Sequence, residues 1–263
     1  MSIGFFDSGI GGVSVLHEAV GRLPRQDFLY YADTDHVPYG SKPKAEVRRH
    51  VFAAVDFLVR QGVSALVIAC NTATSVAISD LRAKYDVPII GMEPAVKVAV
   101  ERAPRHEGRI LVTATALTLK EEKLHNLIDQ IDDDHIVDSL PLPGLVEFAE
   151  KREFDGETVL PYLREQLNQY DLRNVEAIVL GCTHFVFFAD LFRKIASPDT
   201  VIIDGNRGTV NHLIRILTEK GLLKPGRGTV TFYHSGRQVE DPAELARYGD
   251  LLKRLDTMML PGK

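Results

Sequence analysis

Apolar positions recur along the chain in two alternating periods. Continuous runs at residues 2–6 (SIGFF), 27–32 (DFLYYA), 64–69 (SALVIA) and 87–90 (VPII) read as short buried strands. Between them Val13, Leu16, Val20 and Leu23, and then Val47, Val51, Ala54, Val55 and Leu58, fall three or four positions apart, the spacing of one helix face. A third helix is expected over 72–85. Strands that are apolar on both faces and alternate with helices predict a parallel sheet covered on both sides. The alternation then resumes. A helix over 93–103 is broken by Pro104 and Gly108, and strands follow at 109–113, 135–140, 175–181 and 201–204. The helices between them run to about Ile131, through PLPGLVEFAEKR, over 156–169 and over 208–220. The acidic Asp132-Asp133-Asp134 reads as a solvated loop. A last strand at 229–234 and a helix over 241–254 are expected to return to the first group of strands.

The second half echoes the first. SALVIACNT (64–72) and EAIVLGCTH (176–184) are each an apolar run that stops on a cysteine followed by a polar pair. Aligned, they set Cys70 against Cys182 and Ala65 against Ala177, 112 positions apart. VPIIG (87–91) matches TVIID (200–204) at an offset of 113. An offset kept over two separate strands predicts two pseudo-symmetric parallel-sheet α/β domains, residues 1–94 with 208–263 and residues 95–207. The site is expected in the crevice between them, where strand ends meet.

Composition narrows the function. A net charge of −5 with scattered Lys and Arg offers no basic patch for nucleic acid. No apolar stretch approaches the length of a membrane span, and MSIGFFDSGIGG has no signal-peptide layout, so a cytoplasmic protein is expected. Two cysteines this far apart make no zinc knuckle, and in a reducing compartment no structural disulfide is expected. Buried inert thiols are the plain alternative, because free Cys is among the most buried residue types. A core cysteine has no reason to choose a strand exit twice.

Paired thiols suit one chemistry in particular. Inverting a stereocentre by proton transfer requires two similar groups, one on each side of a carbon. Cys, with a reference pKa near 8.5, is closer to neutrality than Lys. Asp7, Glu147 and His184 are candidates to take the thiol protons, while Asn71, Thr72 and Thr183 could hold polar substrate groups. Asp7-Ser8-Gly9-Ile10-Gly11-Gly12 follows a strand and opens a helix, a setting that favours an anion. It lacks both the third glycine of a dinucleotide fingerprint and the Walker pattern. Each of these residues has a simpler reading: Asp7 or Ser8 as a helix cap, His184 as a structural hydrogen-bonder, Glu147 as a solvated helix acid.

With these residues assembled, the chain resembles the glutamate racemases of the aspartate/glutamate racemase superfamily, over nearly its whole length. FFDSGIGG (5–12), VPYG (37–40), IACNTAT (68–74) and LGCTH (180–184) carry the resemblance, in this order. It implies two α/β domains and interconversion of L- and D-glutamate by two bases, without a cofactor or a metal. Cys70 would act on the D-enantiomer and Cys182 on the L-enantiomer, assisted by Asp7 and His184, with Glu147 a further acid on the Cys182 side. Substrate contacts would come from Asp7, Ser8, Pro38, Tyr39, Gly40, Asn71, Thr72, Thr118, Thr183 and His184. It further implies D-glutamate supply to peptidoglycan and a homodimer. The chain departs from the family at Ala114–Thr118 and at Phe185–Phe188, and it is about a residue shorter before Glu147. An aspartate racemase of the same superfamily is the nearest rival, although such relatives typically carry an acid where His184 stands. A Cys-His hydrolase, with Cys182 as nucleophile, and an amino-acid-binding module with inert thiols are alternatives from other classes.

Overall fold

The computed structural model describes residues 2–92, 95–102, 108–132 and 135–258. The expected helix start at Glu93, the break at Pro104, the boundary at residue 94 and Asp133-Asp134 lie outside them. In chain order the first unit comprises β1 (Ser2–Asp7), α1 (Val13–Arg22), β2 (Asp27–Ala32), α2 (Lys44–Arg60), β3 (Ala65–Ile68), α3 (Asn71–Lys84) and β4 (Ile89–Gly91). After α4 (Val96–Arg102) come β5 (Arg109–Ala114), α5 (Ala116–Lys120), α6 (Glu122–Ile131), β6 (Val137–Pro141), α7 (Pro143–Lys151), α8 (Gly156–Leu167), β7 (Val175–Leu180), α9 (Ala189–Ile195) and β8 (Val201–Asp204). The chain ends through α10 (Asn206–Glu219), β9 (Val230–His234), β10 (Arg237–Gln238) and α11 (Pro242–Met258). The single helix expected up to Ile131 is two, because Glu121 is extended and interrupts it.

Two sheets result, and their strand orders correspond. The first runs β10-β9-β2-β1-β3-β4 and the second β6-β5-β7-β8. Within each, four parallel strands take the order second, first, third, fourth. The segment after α10 adds to the first sheet: β9 pairs parallel with β2, and only β10 is antiparallel. The registers agree with the sequence echo. Leu66 stands opposite Ile89 on β3 and β4, and Ile178 opposite Ile202 on β7 and β8, the same partners moved by 112 and 113 positions.

In each sheet the chain leaves the first strand for one neighbour and later crosses to the other. The crevice at the carboxyl ends of β1 and β3, and of β5 and β7, is therefore a topological switch point, where open α/β sheets bind ligands. Both strand pairs are buried and bracketed by helices, and this is why they read as unbroken apolar runs. Cys70 and Cys182 each lie two residues beyond the third strand of their sheet.

Candidate active site

The thiols are free and buried, 5% and 6% exposed. Cys70 caps α3, its Sγ accepting the Ala73 N–H at 3.5 Å, and it lies 3.7 Å from Ser8 Oγ. Cys182 precedes a 3₁₀ segment, Thr183–Phe188, and its Sγ lies 3.6 Å from His184 Nδ1. Chain neighbours of each thiol's partner meet between the two units. Ser8 follows Asp7, whose Oδ1 accepts the Thr183 hydroxyl at 3.4 Å, and Thr183 sits between Cys182 and His184. Asp7 Oδ2 accepts the Gly9 N–H at 3.0 Å, and the Tyr30 hydroxyl donates to the Gly9 carbonyl at 2.8 Å, so the loop after β1 is held at both ends.

The assisting groups do not follow the repeat. Register places Ala114 of β5 where β1 has Asp7, and Thr72 holds the place of His184 after the first thiol. The thiols are equivalent, whereas their proton-handling neighbours are not. Thr72 instead meets Thr115 and Thr118 across the crevice, three hydroxyls 2.9–3.1 Å apart.

Glu147 is exposed on α7 and does not reach the thiols. The acid that does is Glu150, one turn later: its Oε1 lies 2.6 Å from His184 Nε2 and accepts the Ile10 N–H at 2.9 Å. The helix periodicity explains the correction. The buried stripe of α7 is Leu145, Val146 and Ala149. At 100° per residue Glu150 falls about 90° from the centre of that stripe and Glu147 about 150°, on the solvent side. That signal was present in the sequence. Thr115 and Asp33 also escaped the sequence reading, since nothing local marks a threonine or an acid in a loop as a partner of a distant residue. Pro38 is exposed, whereas Tyr39 is buried with its hydroxyl on Asp33 Oδ2 at 2.5 Å. Asn71 is half-buried, and Ser8, Thr72, Thr118 and Thr183 are buried. Gly40 packs so tightly that a Cβ there would come within 2.5 Å of Thr115 Cβ.

Charges around the two thiols differ in sign. Burial raises the Asp7 pKa, against the pull of His184 and the N–H groups of Gly9 and Gly12. Burial, with the Asp7 charge next, also pushes the Cys70 thiol up, and Cys182 lies close enough to oppose its ionisation as well. On the other side burial disfavours a charged His184, but its bonds to Cys182 and Glu150 outweigh this and hold it well above the usual imidazole range. Burial likewise opposes the charge on Glu150, yet His184, the Ile10 N–H and Arg152 bring its pKa below the usual value. At neutral pH the arrangement holds a protonated Cys70 beside an acid, and an imidazolium-carboxylate pair beside Cys182.

Gly11 makes this approach possible. A Cβ at this position would run into the His184 ring and the Thr183 hydroxyl, so the loop and the second unit meet closely only because the side chain is absent. Gly11→Ala is expected to cut turnover by tenfold or more and to lower the melting temperature by a few degrees, since the buried groups must part to admit the methyl. Steady-state kinetics beside a thermal melt check this.

A cavity of about 580 Å³ lies beside the site without the sulfurs in its lining. It begins at Asn71, Thr118 and Gly181 and extends outward between α3 and α6. No helix among the described residues is long and apolar enough to cross a membrane.

Two buried thiols thus stand at matching switch points, Cys70 beside Ser8 and Cys182 beside the His184–Glu150 pair. The chain belongs to the Asp/Glu/Hydantoin racemase family, whose model matches residues 10–213. Within that family it is 51% identical to the glutamate racemase of Halothermothrix orenii, over 97% of this chain and 100% of the relative. Among solved structures it resembles the glutamate racemase of Thermus thermophilus in complex with beta-chloro-D-alanine (35% identity, 97% and 92% of the two chains, TM-score 0.75). It also resembles that of Francisella tularensis in complex with D-glutamate (27% identity, 95% and 92%, TM-score 0.78).

Proposed function

We propose that the protein racemises glutamate by two-base proton transfer between Cys70 and Cys182. The observation that carries this reading is the pair of thiols at equivalent strand exits, Cys70 beside Ser8 and Cys182 beside His184, with Asp7 of the first unit bonded to Thr183 of the second between them. Full-length similarity to glutamate racemases supports the choice of substrate. Starting from L-glutamate, the Cys182 thiolate removes the α-proton, with His184 and Glu150 balancing the charge, and the Cys70 thiol delivers a proton to the opposite face. From D-glutamate the roles exchange: Cys70 gives up its own proton to Asp7 before acting as the base. Asp7-Ser8, Tyr39-Gly40, Asn71-Thr72, Thr118 and Thr183-His184 hold the polar ends of the substrate so that its α-carbon lies between the sulfurs. Residues 1–94 with 208–263 and residues 95–207 act as the two lobes. The same reading makes the protein a cytoplasmic homodimer that supplies D-glutamate for peptidoglycan.

Heavy water tests this directly. Either enantiomer of glutamate should lose optical rotation while the newly formed enantiomer carries deuterium at its α-carbon. If glutamate keeps both its α-proton and its rotation, racemisation of this substrate is excluded. L-aspartate measured alongside tells the glutamate reading from its nearest rival.

A further inference from the structure

Asp33 is the first residue past β2, and its N–H donates to the Asp7 carbonyl at 3.0 Å. Its carboxylate is buried and has three partners: the Tyr39 hydroxyl on Oδ2, and Ser235 Oγ (2.8 Å) and His36 Nδ1 (2.9 Å) on Oδ1. His50, on α2, stacks on the His36 ring with centroids 3.7 Å apart and also lies against the Tyr39 ring. One ligand atom from each of Asp33, His36 and His50 can be chosen so that all lie within 4.8 Å of one another, the one such metal-ligating group among the described residues. Three separate elements supply them: a strand end, the loop after it and a helix.

We propose that Asp33, His36 and His50 bind a divalent transition ion of the zinc class, and that an ion held there acts on the substrate loop through the Asp33–Tyr39 hydrogen bond. Two imidazoles and a carboxylate form a borderline donor set suited to Zn²⁺, Co²⁺ or Ni²⁺ rather than to Mg²⁺ or Ca²⁺. The spacing suits one ion. Two donors bound at about 2.1 Å in a tetrahedral site lie about 3.4 Å apart, and His36 Nδ1 and Asp33 Oδ1, 2.9 Å apart in their hydrogen bond, reach that spacing with a small shift once the ion replaces the proton between them. The His36 and His50 rings are stacked with an interplanar angle of 26°, so convergence on one ion requires one ring to turn. The His36 side chain, 39% exposed, is free to do so. Within the described residues His50 has only a long polar contact, 3.6 Å to Glu46, whose carboxylate also holds Lys42 and can orient the ring. An ion on Oδ1 draws charge from the carboxylate that the Tyr39 hydroxyl uses, and so loosens Tyr39 and Gly40. This coupling rests on the reading of Tyr39-Gly40 as substrate contacts, and the ion takes no part in the proton transfer.

Full-length protein stripped with EDTA is titrated with Co²⁺ and followed by visible absorption, then challenged with Zn²⁺. One Co²⁺ per chain should bind and be displaced by Zn²⁺. Binding should persist in the Cys70→Ser/Cys182→Ser double variant, which removes the competing thiols, and weaken by roughly tenfold or more in His36→Arg and in His50→Gln. No cobalt band, loss of binding with the thiols, or binding unaffected by both histidine variants overturns the site. In a second arm, one equivalent of Zn²⁺ should raise the KM for glutamate severalfold in the wild type and leave it unchanged in His36→Arg. Binding without this effect overturns the coupling to Tyr39. The absorption arm reads the ion site even if glutamate proves not to be the substrate.

Discussion

Cys70→Ser and Cys182→Ser are each expected to abolish racemisation, by about 10³-fold or more, within the upper part of the range for losing a positioned acid or base. The argument is one of proton affinity at fixed geometry. Serine nearly matches cysteine in shape, so the two buried positions should stay filled and far-ultraviolet dichroism should not change. A hydroxyl is a much weaker acid than a thiol, and neither Asp7 nor the His184–Glu150 pair can ionise it to a useful extent near neutrality. Because each turnover uses one sulfur as base and the other as acid, either replacement should stop both directions. Racemisation followed by polarimetry, in parallel with dichroism, decides the matter. Wild-type turnover in either variant would rule out the two-base assignment.

Glu150→Gln should lower turnover by about 10²-fold, whereas Glu147→Gln should leave it within a factor of two. Glu150 touches His184 and the Ile10 N–H, while Glu147 faces solvent. Removing the carboxylate takes away one of the two partners, with Cys182, that keep a buried imidazole charged, so the His184 pKa should fall. The basic limb of the pH–rate profile should then move to lower pH. Stability follows with a defined sign. Glu150, held below its ordinary 4.5, contributes above that pH and loses its contribution as the pH falls through its folded value. His184, held above its ordinary 6.5, contributes below that pH and loses its contribution as the pH rises through its folded value. The wild-type advantage in melting temperature over Glu150→Gln should therefore be complete between pH 4.5 and 6.5 and decline outside that range. Equal kinetic effects from the two glutamine substitutions would show that His184 does not depend on this partner.

Much of the fold was legible because parallel strands buried on both faces leave unbroken apolar runs, and their covering helices leave a different period. The repeat was legible for the same reason: Leu66–Ile89 and Ile178–Ile202 are core pairs, and core positions keep their apolar character in both halves. Candidate site residues at strand exits, such as Asp7, Cys70 and Cys182, announce themselves by interrupting an apolar run. Glu150 does not, because one acid on an amphipathic helix looks much like another until the buried stripe is located.

From its residues alone the chain determines a doubled α/β framework and two thiols at equivalent strand ends, since burial and periodicity are local properties that survive in one dimension. Only the tertiary structure decides which neighbour serves each thiol. His184 finds Glu150 rather than Glu147, Asp7 reaches Thr183 across the crevice, and Asp33 gathers Tyr39, His36 and Ser235, because hydrogen bonds between distant segments depend on distances and directions that chain order does not encode.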